Sequence, residues 1–294
     1  MAAVMLLAAG HGTRLRPLTD RLPKAMVPIG DQPILAHVIE SIRGQLGNCE
    51  LVLNAHHRAD LIVDYVQNRV PNARLLVEPV LLGTAGGLRA AWPNFRGQSV
   101  LVANTDILSN PNYLQLLNAA DNATCCLCLF PRKTGEGSVG VAADGSVARL
   151  RGEVFGVEAR GGDYTGVAVL GTDAIESLPA SGCLVGDWLL PGLRCGHCVR
   201  AHFDATVWLD VGKLGSYAHA NWQWLAARSL RSWVAPDASV CDGSCLTDVI
   251  VGSGASIESL GTFQRVIAWP GARITRELSD CVVMDDGQIV ALSD

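Results

Sequence analysis

The chain has 294 residues, 49% hydrophobic and 17% charged, a composition typical of one large or two smaller folded domains and unlike that of disordered chains, collagens or coiled coils. Lysine and arginine total 23 and aspartate and glutamate total 28, so a net charge of −5 gives no basic surplus for binding nucleic acid or an anionic membrane. No apolar run reaches the roughly 18 to 20 residues that span a bilayer, and no basic leader precedes Arg14, so the sequence predicts a cytoplasmic protein with no membrane partner.

The first half of the sequence alternates apolar runs with amphipathic segments. A continuous apolar run over residues 4–9 ends in a Gly-His-Gly loop, which predicts a strand buried on both faces. Pro33 could open a helix, because the apolar residues that follow it recur on one helical face. Further strands are predicted at 51–53, 75–77 and 99–103, with helices around 61–66 and 86–92 between them. This alternation indicates a doubly wound α/β sheet.

The middle of the sequence has shorter apolar runs and more glycine. Strands are predicted at 126–130, 139–142 and 164–170, as a substrate subregion attached to the same sheet. A helix near 214–227 then closes the first domain, and residues 228–232 serve as a linker. The first domain is therefore predicted over residues 1–231.

The remaining segment carries an internal repeat. Residues 249–257 read VIVGSGASI and are echoed by VIAWPGARI at 266–274 and, more faintly, by VVMDDGQI at 282–289. The glycines at 254, 271 and 287 are spaced by 17 and 16 residues. A short period of this kind predicts stacked β-solenoid coils over residues 232–294, and a stack of plain β-hairpins is the alternative. The segment from Val234 onward resembles the left-handed β-helix of hexapeptide-repeat proteins.

One motif near the start carries the chemistry. Residues 7–19 read LAAGHGTRLRPLT, and residues 23–29 read PKAMVPI. A glycine loop after a buried strand lets backbone N–H groups approach phosphate oxygens, while Arg14 and Lys24 add cations. The pair Gly10 and Gly12 alone would be weak evidence, since such pairs occur in ordinary turns. The whole string predicts a triphosphate site that is neither a Rossmann nor a P-loop site.

This string resembles the signature of the sugar-1-phosphate nucleotidylyltransferases, G-x-G-T-R-L-x-P-L-T followed by P-K-x-x-x-P-I, at every fixed position. Further segments follow in that family's order: Glu78-Pro79, residues 82–86 (LGTAG), Asn104-Thr105-Asp106, Thr165-Gly166-Val167 and residues 208–212 (WLDVG). The trailing repeat is similar to that of some members, including mannose-1-phosphate guanylyltransferases. The resemblance implies a Rossmann-like nucleotidyltransferase domain followed by a short left-handed β-helix.

The resemblance also implies a reaction. The phosphate of a sugar 1-phosphate attacks the α-phosphorus of a nucleoside triphosphate and pyrophosphate leaves, so catalysis needs charge neutralisation and positioning rather than a protein nucleophile. By resemblance, Arg14 contacts the β and γ phosphates, and Lys24 reaches the α-phosphate and the sugar phosphate. Asp106 and Asp210 hold Mg²⁺ as the cofactor. A surface ion pair for Arg14, or a helix-capping role for the aspartates, is the structural alternative.

A second arginine in the motif leaves two readings open. Arg16 could meet phosphate or pair with Asp20. The resemblance assigns nucleotide binding to a longer set: Leu7, Ala8, Ala9, Gly10, Gly12, Thr13, Arg14, Glu78, Gly83, Thr84 and Gly86.

Base choice depends on Glu78, which stands where thymidylyl members of the family carry glutamine. A carboxylate only accepts hydrogen bonds, so it matches the adjacent N1–H and N2–H donors of guanine, and GTP is favoured. A uridylyl or thymidylyl role stays open, because backbone groups around Ala8 and Gly86 can read the base and Glu78 could instead cap a turn.

On the sugar side, the resemblance assigns Gly140, Glu153, Thr165 and Gly166 to the sugar phosphate. Many relatives carry Glu-Lys-Pro, whose lysine meets that phosphate, where this chain reads RLRGE at 149–153. Arg149, Arg151 or Lys213 could supply the charge. The sugar itself is not readable, and mannose or heptose 1-phosphate is a reasonable first trial.

Several features are interpreted as structural. Cys195 and Cys198 have dithiol spacing, and Cys241 and Cys245 could form half of a zinc site, but each set lacks the elements that such sites need. The apolar cysteines at 125, 126 and 128 are read as core, and His56 and His57 as loop residues.

Two rival functions belong to other classes. A noncatalytic regulatory or assembly subunit would keep the fold but lose Arg14, Lys24, Asp106 or Asp210, all of which are present. A hexapeptide-repeat acyltransferase would need a histidine in the repeat, and none follows His219. Because hexapeptide regions often mediate association, a homo-oligomer is expected through the C-terminal segment.

Overall fold

The computed structural model describes residues 3–95, 97–121, 123–204 and 207–292. The outermost residues of the two predicted domain ranges, 1, 2, 293 and 294, lie outside this part. The chain forms two compact units, one made of Met1–His11 with Val38–Trp208 and the other of Gly12–His37 with Leu209–Asp294. The predicted boundary at residue 231 stays a prediction, since residues 209–231 group with the C-terminal coils. Over the described ranges, no helix is long and apolar enough to cross a membrane.

The strands and helices are numbered in chain order. The strands are β1 Ala3–Leu7, β2 Pro28–Ile29, β3 Gln32–Pro33, β4 Leu51–Ala55, β5 Ala73–Val77, β6 Val100–Asn104, β7 Ile107–Ser109, β8 Cys125–Arg132, β9 Val139–Val141, β10 Val147–Leu150, β11 Glu153–Val154, β12 Arg160–Leu170, β13 Val199–Phe203, β14 Trp208–Asp210, β15 Trp233–Val234, β16 Ser239–Val240, β17 Cys245–Thr247, β18 Ile250–Val251, β19 Ser256–Ile257, β20 Thr262–Ala268, β21 Arg273–Ile274, β22 Ser279–Val283 and β23 Ile289–Ala291. The α-helices are α1 Leu18–Arg21, α2 Ile34–Leu46, α3 Ala59–Arg69, α4 Gly83–Ala91, α5 Tyr113–Ala119, α6 Thr172–Glu176, α7 Leu190–Arg194 and α8 Leu214–Ala226. Short 3₁₀ turns cover Thr13–Leu15, Lys24–Met26 and Trp92–Asn94, and a π-helical turn covers Leu184–Leu189.

The first unit is built on one mixed sheet. Its strands run in the order β11-β10-β9-β12-β6-β1-β4-β5, with β8 paired to both β12 and β13. β1, β4, β5 and β6 pair in parallel, as the continuous apolar runs predict. β12 runs antiparallel to β6, β8 and β9, so the middle segment extends the same sheet. The predicted α/β class and the attachment of the middle segment to the same sheet are confirmed, and the role of that segment in binding substrate stays a prediction.

Strand order fixes where this unit can bind a ligand. From β1 the chain moves outward to β4 and β5 and then returns to β6 on the other side of β1. Parallel α/β sheets bind ligands at such a reversal, beyond the carboxyl ends of the strands. In this sheet those ends lie at Leu7 of β1 and at Asn104 of β6, which are register partners.

The C-terminal repeat of the second unit forms stacked parallel coils. Trp233 pairs with Ile250, Ile250 with Ile267 and Ser239 with Ser256, so partners in successive coils lie 17 residues apart. Three ladders run along the stack, through β15-β18-β20-β22, β16-β19-β21 and β17-β20. These parallel pairs are those of stacked coils rather than of hairpins, and they are consistent with the predicted β-helix, whose handedness stays a prediction. The last echo of the repeat, at 282–289, differs, because it lies in an antiparallel hairpin of β22 with β23.

Helix α8 joins two other parts of the second unit. Tyr217, fully buried, accepts a hydrogen bond from Trp269 Nε1 at 3.0 Å on the coils. Asn221 Oδ1 accepts the Gly30 N–H at 2.9 Å, in the turn between β2 and β3. Gly30 has a φ of 60°, and a methyl group there would overlap the Trp224 indole. Residues 12–37 therefore belong with α8 and the coils.

Candidate functional site

The carboxyl ends of β1 and β6 are tied together in the first unit. Thr105 is buried, and two of its groups donate to the Leu7 carbonyl: the hydroxyl Oγ1 at 2.8 Å and the backbone N–H at 3.3 Å. The chain then leaves β1 through Ala8 and Ala9, each 5% exposed. The start of the predicted nucleotide loop is thereby fixed against the neighbouring strand.

Gly10 differs from most glycines of the chain in its surroundings. It is exposed, and a methyl group added there would meet no described atom within 4 Å. Its φ is not in the left-handed region. Neither the backbone conformation nor a described neighbour requires glycine at this position. Because no described atom fills the space beside Gly10, a ligand could approach the backbone there.

A buried polar cluster lies next to this loop, and we call it the Asn54 cluster (Ala8, Asn54, Glu78 and Leu82). Asn54 at the end of β4 is 3% exposed, and its Oδ1 accepts the Ala8 N–H at 2.8 Å. Its Nδ2 donates to Glu78 Oε1 at 2.7 Å, and Glu78 Oε2 accepts the Leu82 N–H at 2.9 Å. Glu78 is 4% exposed. Both of its oxygens therefore accept internal hydrogen bonds, as in the turn-capping alternative.

Replacing Glu78 with glutamine should destabilise the protein. Glutamine offers one oxygen, so its amide nitrogen must face either the Asn54 amide or the Leu82 N–H, and a buried donor is left unsatisfied. We expect a loss of about 1–3 kcal/mol in the free energy of unfolding, measured by urea denaturation. The control is Glu136→Gln, whose side chain is exposed. Equal unfolding curves for the two variants would contradict this role.

The segment 82–86 packs against the loop at 180–184. Gly83 has a φ of 75°, and a methyl group there would lie 2.5 Å from the Gly182 carbonyl oxygen. A methyl group on Gly86 would lie 2.6 Å from the Ala180 carbonyl oxygen. Thr84 Oγ1 accepts the Leu184 N–H at 2.7 Å. Close packing thus accounts for these residue types, and their proposed contact with a nucleotide stays a prediction.

Asp106 lies two residues after the end of β6 and is partly buried. Gly166, on the neighbouring β12, has a φ of 79°, and a methyl group there would lie 3.0 Å from Asn104 Nδ2. Thr165 is buried and donates to the Cys128 carbonyl at 2.9 Å. The strand end that carries Asp106 is therefore closely packed against β12, and the Thr165 hydroxyl is used inside the fold.

The remaining predicted sugar-side residues are also engaged with protein groups. Glu153 forms a bidentate ion pair with Arg194, at 2.7 and 2.8 Å. A methyl group on Gly140 would overlap the Glu158 carboxylate. The Glu153 carboxylate is thus neutralised by Arg194, and the contact of the Gly140 backbone with the sugar stays a prediction.

The two arginines that replace the family lysine differ in their partners. Arg149 donates to Glu158 at 2.8 and 3.2 Å and to the carbonyls of Glu136 and Gly137, and its hydrogen bond lowers the pKa of the Glu158 carboxyl. Arg151 is exposed, and over the described ranges the only polar partner of its guanidinium is Cys183 Sγ at 3.8 Å. Arg151 is therefore the available cation of the pair.

The second unit begins at Gly12, within the phosphate motif. Gly12 has a φ of 64°, and its carbonyl accepts from Thr19 Oγ1 at 2.9 Å. A methyl group on Gly12 would lie 2.8 Å from Thr19 Cγ2 and 3.1 Å from Lys24 Cβ. Lys24 is 8% exposed. Glycine at this position lets the loop backbone lie against the stem of a buried lysine.

Arg14 stands just beyond this turn, on the 3₁₀ segment anchored by the buried Leu15. Its guanidinium is exposed and, within the described residues, has no hydrogen bond or ion pair. A methyl group on Gly212 would lie 3.0 Å from Asp210 Oδ1 and 3.3 Å from both terminal nitrogens of Arg14. Arg16, by contrast, pairs with Asp20 at 3.1 Å. The structure thus brings Arg14 and Asp210 together and gives Arg16 its ion pair.

The fit of a magnesium ion rests on the type of ligand. In the part of the chain described here, no three His, Cys, Asp or Glu side chains form a group that could hold a metal alone. Asp106 and Asp210 supply carboxylate oxygens, which are hard ligands. Mg²⁺ keeps several waters and uses one or two carboxylates together with substrate phosphates. Each carboxylate is therefore of the ligand type that magnesium takes, and the pairing of Asp106 with Asp210, which belong to different units, stays a prediction.

The cysteines divide into buried thiols and others that reach the surface, among them the exposed Cys195, Cys198 and Cys245. All ten cysteines are free thiols, and those at 125, 126 and 128 are buried, which confirms their prediction as core. The imidazole of His11 meets those of His56 and His57 edge-on, at 5.4 and 5.7 Å between centroids. His56 Nδ1 donates to the Glu78 carbonyl at 2.8 Å.

Comparison with known proteins agrees with the sheet and the motif, which define a nucleotidyltransferase-type α/β protein. Residues 3–150 match the family model described as nucleotidyl transferase. The match covers half of the chain, and the chain belongs to the nucleotidyl transferase family. The resemblance found in the motif is thereby confirmed.

Individual relatives match different lengths of the chain. The bifunctional protein GlmU of Methanocaldococcus jannaschii is 36% identical over 104 residues, 35% of this chain and 24% of that protein. The chain thus spans only a quarter of that relative. The N-acetylmuramate alpha-1-phosphate uridylyltransferase of Neisseria meningitidis serogroup B is 28% identical over 218 residues, 71% of this chain and 92% of that protein. The probable mannose-1-phosphate guanylyltransferase 3 of Oryza sativa subsp. japonica is 30% identical over 125 residues, 40% of this chain and 34% of that protein.

Solved structures show the same fold. The crystal structure of HddC from Yersinia pseudotuberculosis has a TM-score of 0.65 at 22% identity, covering 76% of this chain and all of the HddC chain. A structure of HddC complexed with GMP-PN has the same TM-score at 24% identity.

Proposed function

We propose that this protein transfers a nucleotidyl group from a nucleoside triphosphate to a sugar 1-phosphate, releasing pyrophosphate. The observation that carries the proposal is the state of Arg14. A guanidinium without a partner among the described residues, on the family's glycine motif, is suited to the negative charge that grows on departing pyrophosphate. Lys24, packed against Gly12, would neutralise the α-phosphate and the attacking sugar phosphate.

Magnesium is part of this proposal. Asp106 and Asp210 would hold the ion, which when bound neutralises phosphate charge and lowers the repulsion between the reacting anions. Arg14, beside Asp210, would orient the β and γ phosphates, and the rigid turn at Gly12 would align the α-phosphorus for in-line attack.

For the triphosphate, UTP and GTP are the two candidates. GTP is favoured by an acceptor-only side chain at Glu78. Two observations favour UTP: the Glu78 oxygens already accept internal hydrogen bonds, and a uridylyltransferase aligns over 71% of this chain. We therefore place UTP first, and N-acetylmuramate, mannose and heptose 1-phosphates are the sugars to try with each triphosphate.

A pyrophosphate-release assay tests the proposal. Four ribonucleoside triphosphates and dTTP are combined with a panel of sugar 1-phosphates in the presence of magnesium. We expect turnover that requires both substrates, with UTP or GTP giving the highest kcat/KM. Absence of pyrophosphate release with every pair would instead support the noncatalytic subunit.

Arg151 should supply the cation for the sugar phosphate. Its replacement by alanine should raise KM for the sugar 1-phosphate about 10-fold or more, the range for a lost hydrogen bond to a charged group, with little change in KM for the triphosphate. Steady-state kinetics with each substrate varied in turn measures this. The control is Arg69→Ala, an exposed arginine on α3. A rise in both KM values, or in neither, would reject Arg151 as the cation for the sugar phosphate. Lys213 would then be the remaining candidate.

A further inference from the structure

The segment that carries the phosphate motif has little regular structure of its own. Between Gly12 and Val27 it forms two 3₁₀ turns and the four-residue helix α1. A helix of one turn is not stable in isolation. The conformation that brings the stem of Lys24 against Gly12 therefore depends on contacts with other parts of the second unit.

Arg21 forms such a contact at the end of α1. Its Nη2 donates to Asp285 Oδ2 at 2.9 Å, and its Nη1 lies 3.7 Å from Asp286 Oδ2. Both acids lie in the turn between β22 and β23, and Asp285 is 264 residues away from Arg21 in the sequence. The last turn of the C-terminal segment thus contacts the phosphate motif between Gly12 and Lys24.

The turn that carries the two acids is closed by its own hydrogen bonds. The Met284 N–H donates to the Gln288 carbonyl at 2.9 Å. Asp286 Oδ1 accepts the Gln288 N–H at 3.0 Å, while its Oδ2 is the oxygen that faces Arg21. The turn therefore presents its carboxylates to α1 in a defined position.

The acids also interrupt the coil repeat. Each of the three repeats turns at a glycine with a positive φ, namely Gly254, Gly271 and Gly287. The two residues before that glycine are Gly-Ser in the first repeat, Trp-Pro in the second and Asp-Asp in the third. Trp269 of the second repeat donates to Tyr217 on α8, whereas Asp285 of the third pairs with Arg21 on α1. Acidic residues thus stand at the turn that contacts the basic end of α1.

The ion pair lies at the surface, so its contribution to global stability is small. The side chain of Arg21 is 45% exposed, and those of Asp285 and Asp286 are 47% and 37% exposed. Water and salt screen charges in such a position. A displacement of a charged group by about 1 Å from the reacting atoms can nevertheless slow a reaction about 100-fold. Loss of this contact should therefore affect activity far more than stability.

We infer that Arg21, Asp285 and Asp286 are positioning residues: the last turn of the C-terminal segment holds the phosphate motif in the conformation that places Lys24. This inference rests on the proposed function, in which Lys24 neutralises the reacting phosphates. Arg21 acts through α1 and does not itself touch a phosphate. The coils are then needed for catalysis, in addition to any role in association.

A charge swap on the full chain tests the inference. Arg21→Glu replaces the attraction with repulsion and should lower kcat/KM for pyrophosphate release about 10- to 100-fold. Its melting temperature should change by no more than about 4 °C. Combining Arg21→Glu with Asp285→Arg restores the attraction with the charges exchanged, so the double variant should recover most of the lost activity.

Two further variants control for charge. Arg265→Glu removes a matched ion pair of the same unit, since Arg265 lies 3.0 Å from Asp280 and the two are 46% and 49% exposed. It should leave kcat/KM unchanged. Asp285→Arg alone adds positive charge, which would favour phosphate binding if only the electric field mattered. Because it also repels Arg21, we expect it to lower kcat/KM.

Arg21→Gln provides a milder variant that removes the ion pair without repulsion if the charge reversals do not fold. It should lower kcat/KM about threefold or more. Calorimetric titration of every variant with magnesium pyrophosphate adds a readout that needs no turnover. The affinity for pyrophosphate should fall in Arg21→Glu and return in the double variant.

The outcomes separate this inference from the proposed function. Equal kinetics for Arg21→Glu and Arg265→Glu, or a gain in activity for Asp285→Arg, overturns the inference while the proposed function stands. A double variant that melts like wild type but recovers no activity does the same. Wild type that binds pyrophosphate but releases none from any substrate pair overturns the proposed function alone, and the pyrophosphate affinities of the variants then decide the inference. Wild type that neither binds nor releases pyrophosphate overturns both.

Discussion

Arg14→Ala should lower kcat/KM for pyrophosphate release about 1000-fold or more, the effect expected when an arginine that stabilises phosphoryl-transfer charge is removed. Among the described residues no group pairs with the Arg14 guanidinium, so removing the side chain leaves no partner unsatisfied. The melting temperature should therefore hardly change. Pyrophosphate release and a thermal melt, measured on the same preparation, check both statements.

A matched control lies two residues further on. Arg16 is also exposed, but it is held by Asp20, so Arg16→Ala should keep kcat/KM within a few-fold of wild type. Arg14→Lys should recover only part of the rate, since an ammonium keeps the charge but loses the two-pronged contact with phosphate. Equal losses for the Arg14 and Arg16 alanine variants would remove the basis of the proposed function.

Asp106→Asn should lower kcat by about 100- to 1000-fold, as for other lost electrostatic contacts to a transition state. Asparagine keeps the shape of the side chain but not its charge, so the variant should also need more magnesium to reach half of its own maximal rate. A magnesium titration at saturating substrates measures the shift.

The control for this charge removal is Asp121→Asn, an exposed aspartate after α5. It should leave both the rate and the magnesium requirement unchanged. If Asp106→Asn behaves like this control, Asp106 is not a metal ligand. The proposal that Asp106 and Asp210 hold the ion together would then fail.

Much of the fold was readable because its signals are local. Continuous apolar runs identified β1, β4 and β6, whose burial on both faces leaves no room for alternation. The edge strand β5 was found from a shorter apolar run and is only partly buried. The coil repeat was readable because residues 17 apart stack directly on each other. The π-helical turn at Leu184–Leu189 was not predicted, since its apolar residues have no helical or strand period of their own.

Asn54 was missed for a different reason. An asparagine at the end of a buried strand has no sequence signature, and its partner Ala8 lies 46 residues away. Only the register of β1 on β4, which pairs Leu7 with Asn54, brings the amide to the loop. Sequence reasoning found the residue types that phosphate chemistry needs but not the side chain that positions them.

The polar residues assigned to ligands show the converse limit. Thr84, Thr165 and Glu153 stand in family motifs, yet each uses its side chain on a partner within the protein. Their partners belong to other strands or helical segments, so the sequence gives no sign that these groups are already occupied.

Burial separates the two cations of the phosphate motif in their response to ionic strength. Arg14 is exposed to mobile ions, which screen surface charges over a Debye length of about 8 Å at 0.15 M salt. Lys24, with 8% of its surface accessible, is shielded from those ions. Added salt should therefore weaken the attraction of Arg14 for the β and γ phosphates while the attraction at the buried Lys24 persists. Binding of the departing pyrophosphate should accordingly be more sensitive to salt than binding of the α-phosphate, where the new bond forms.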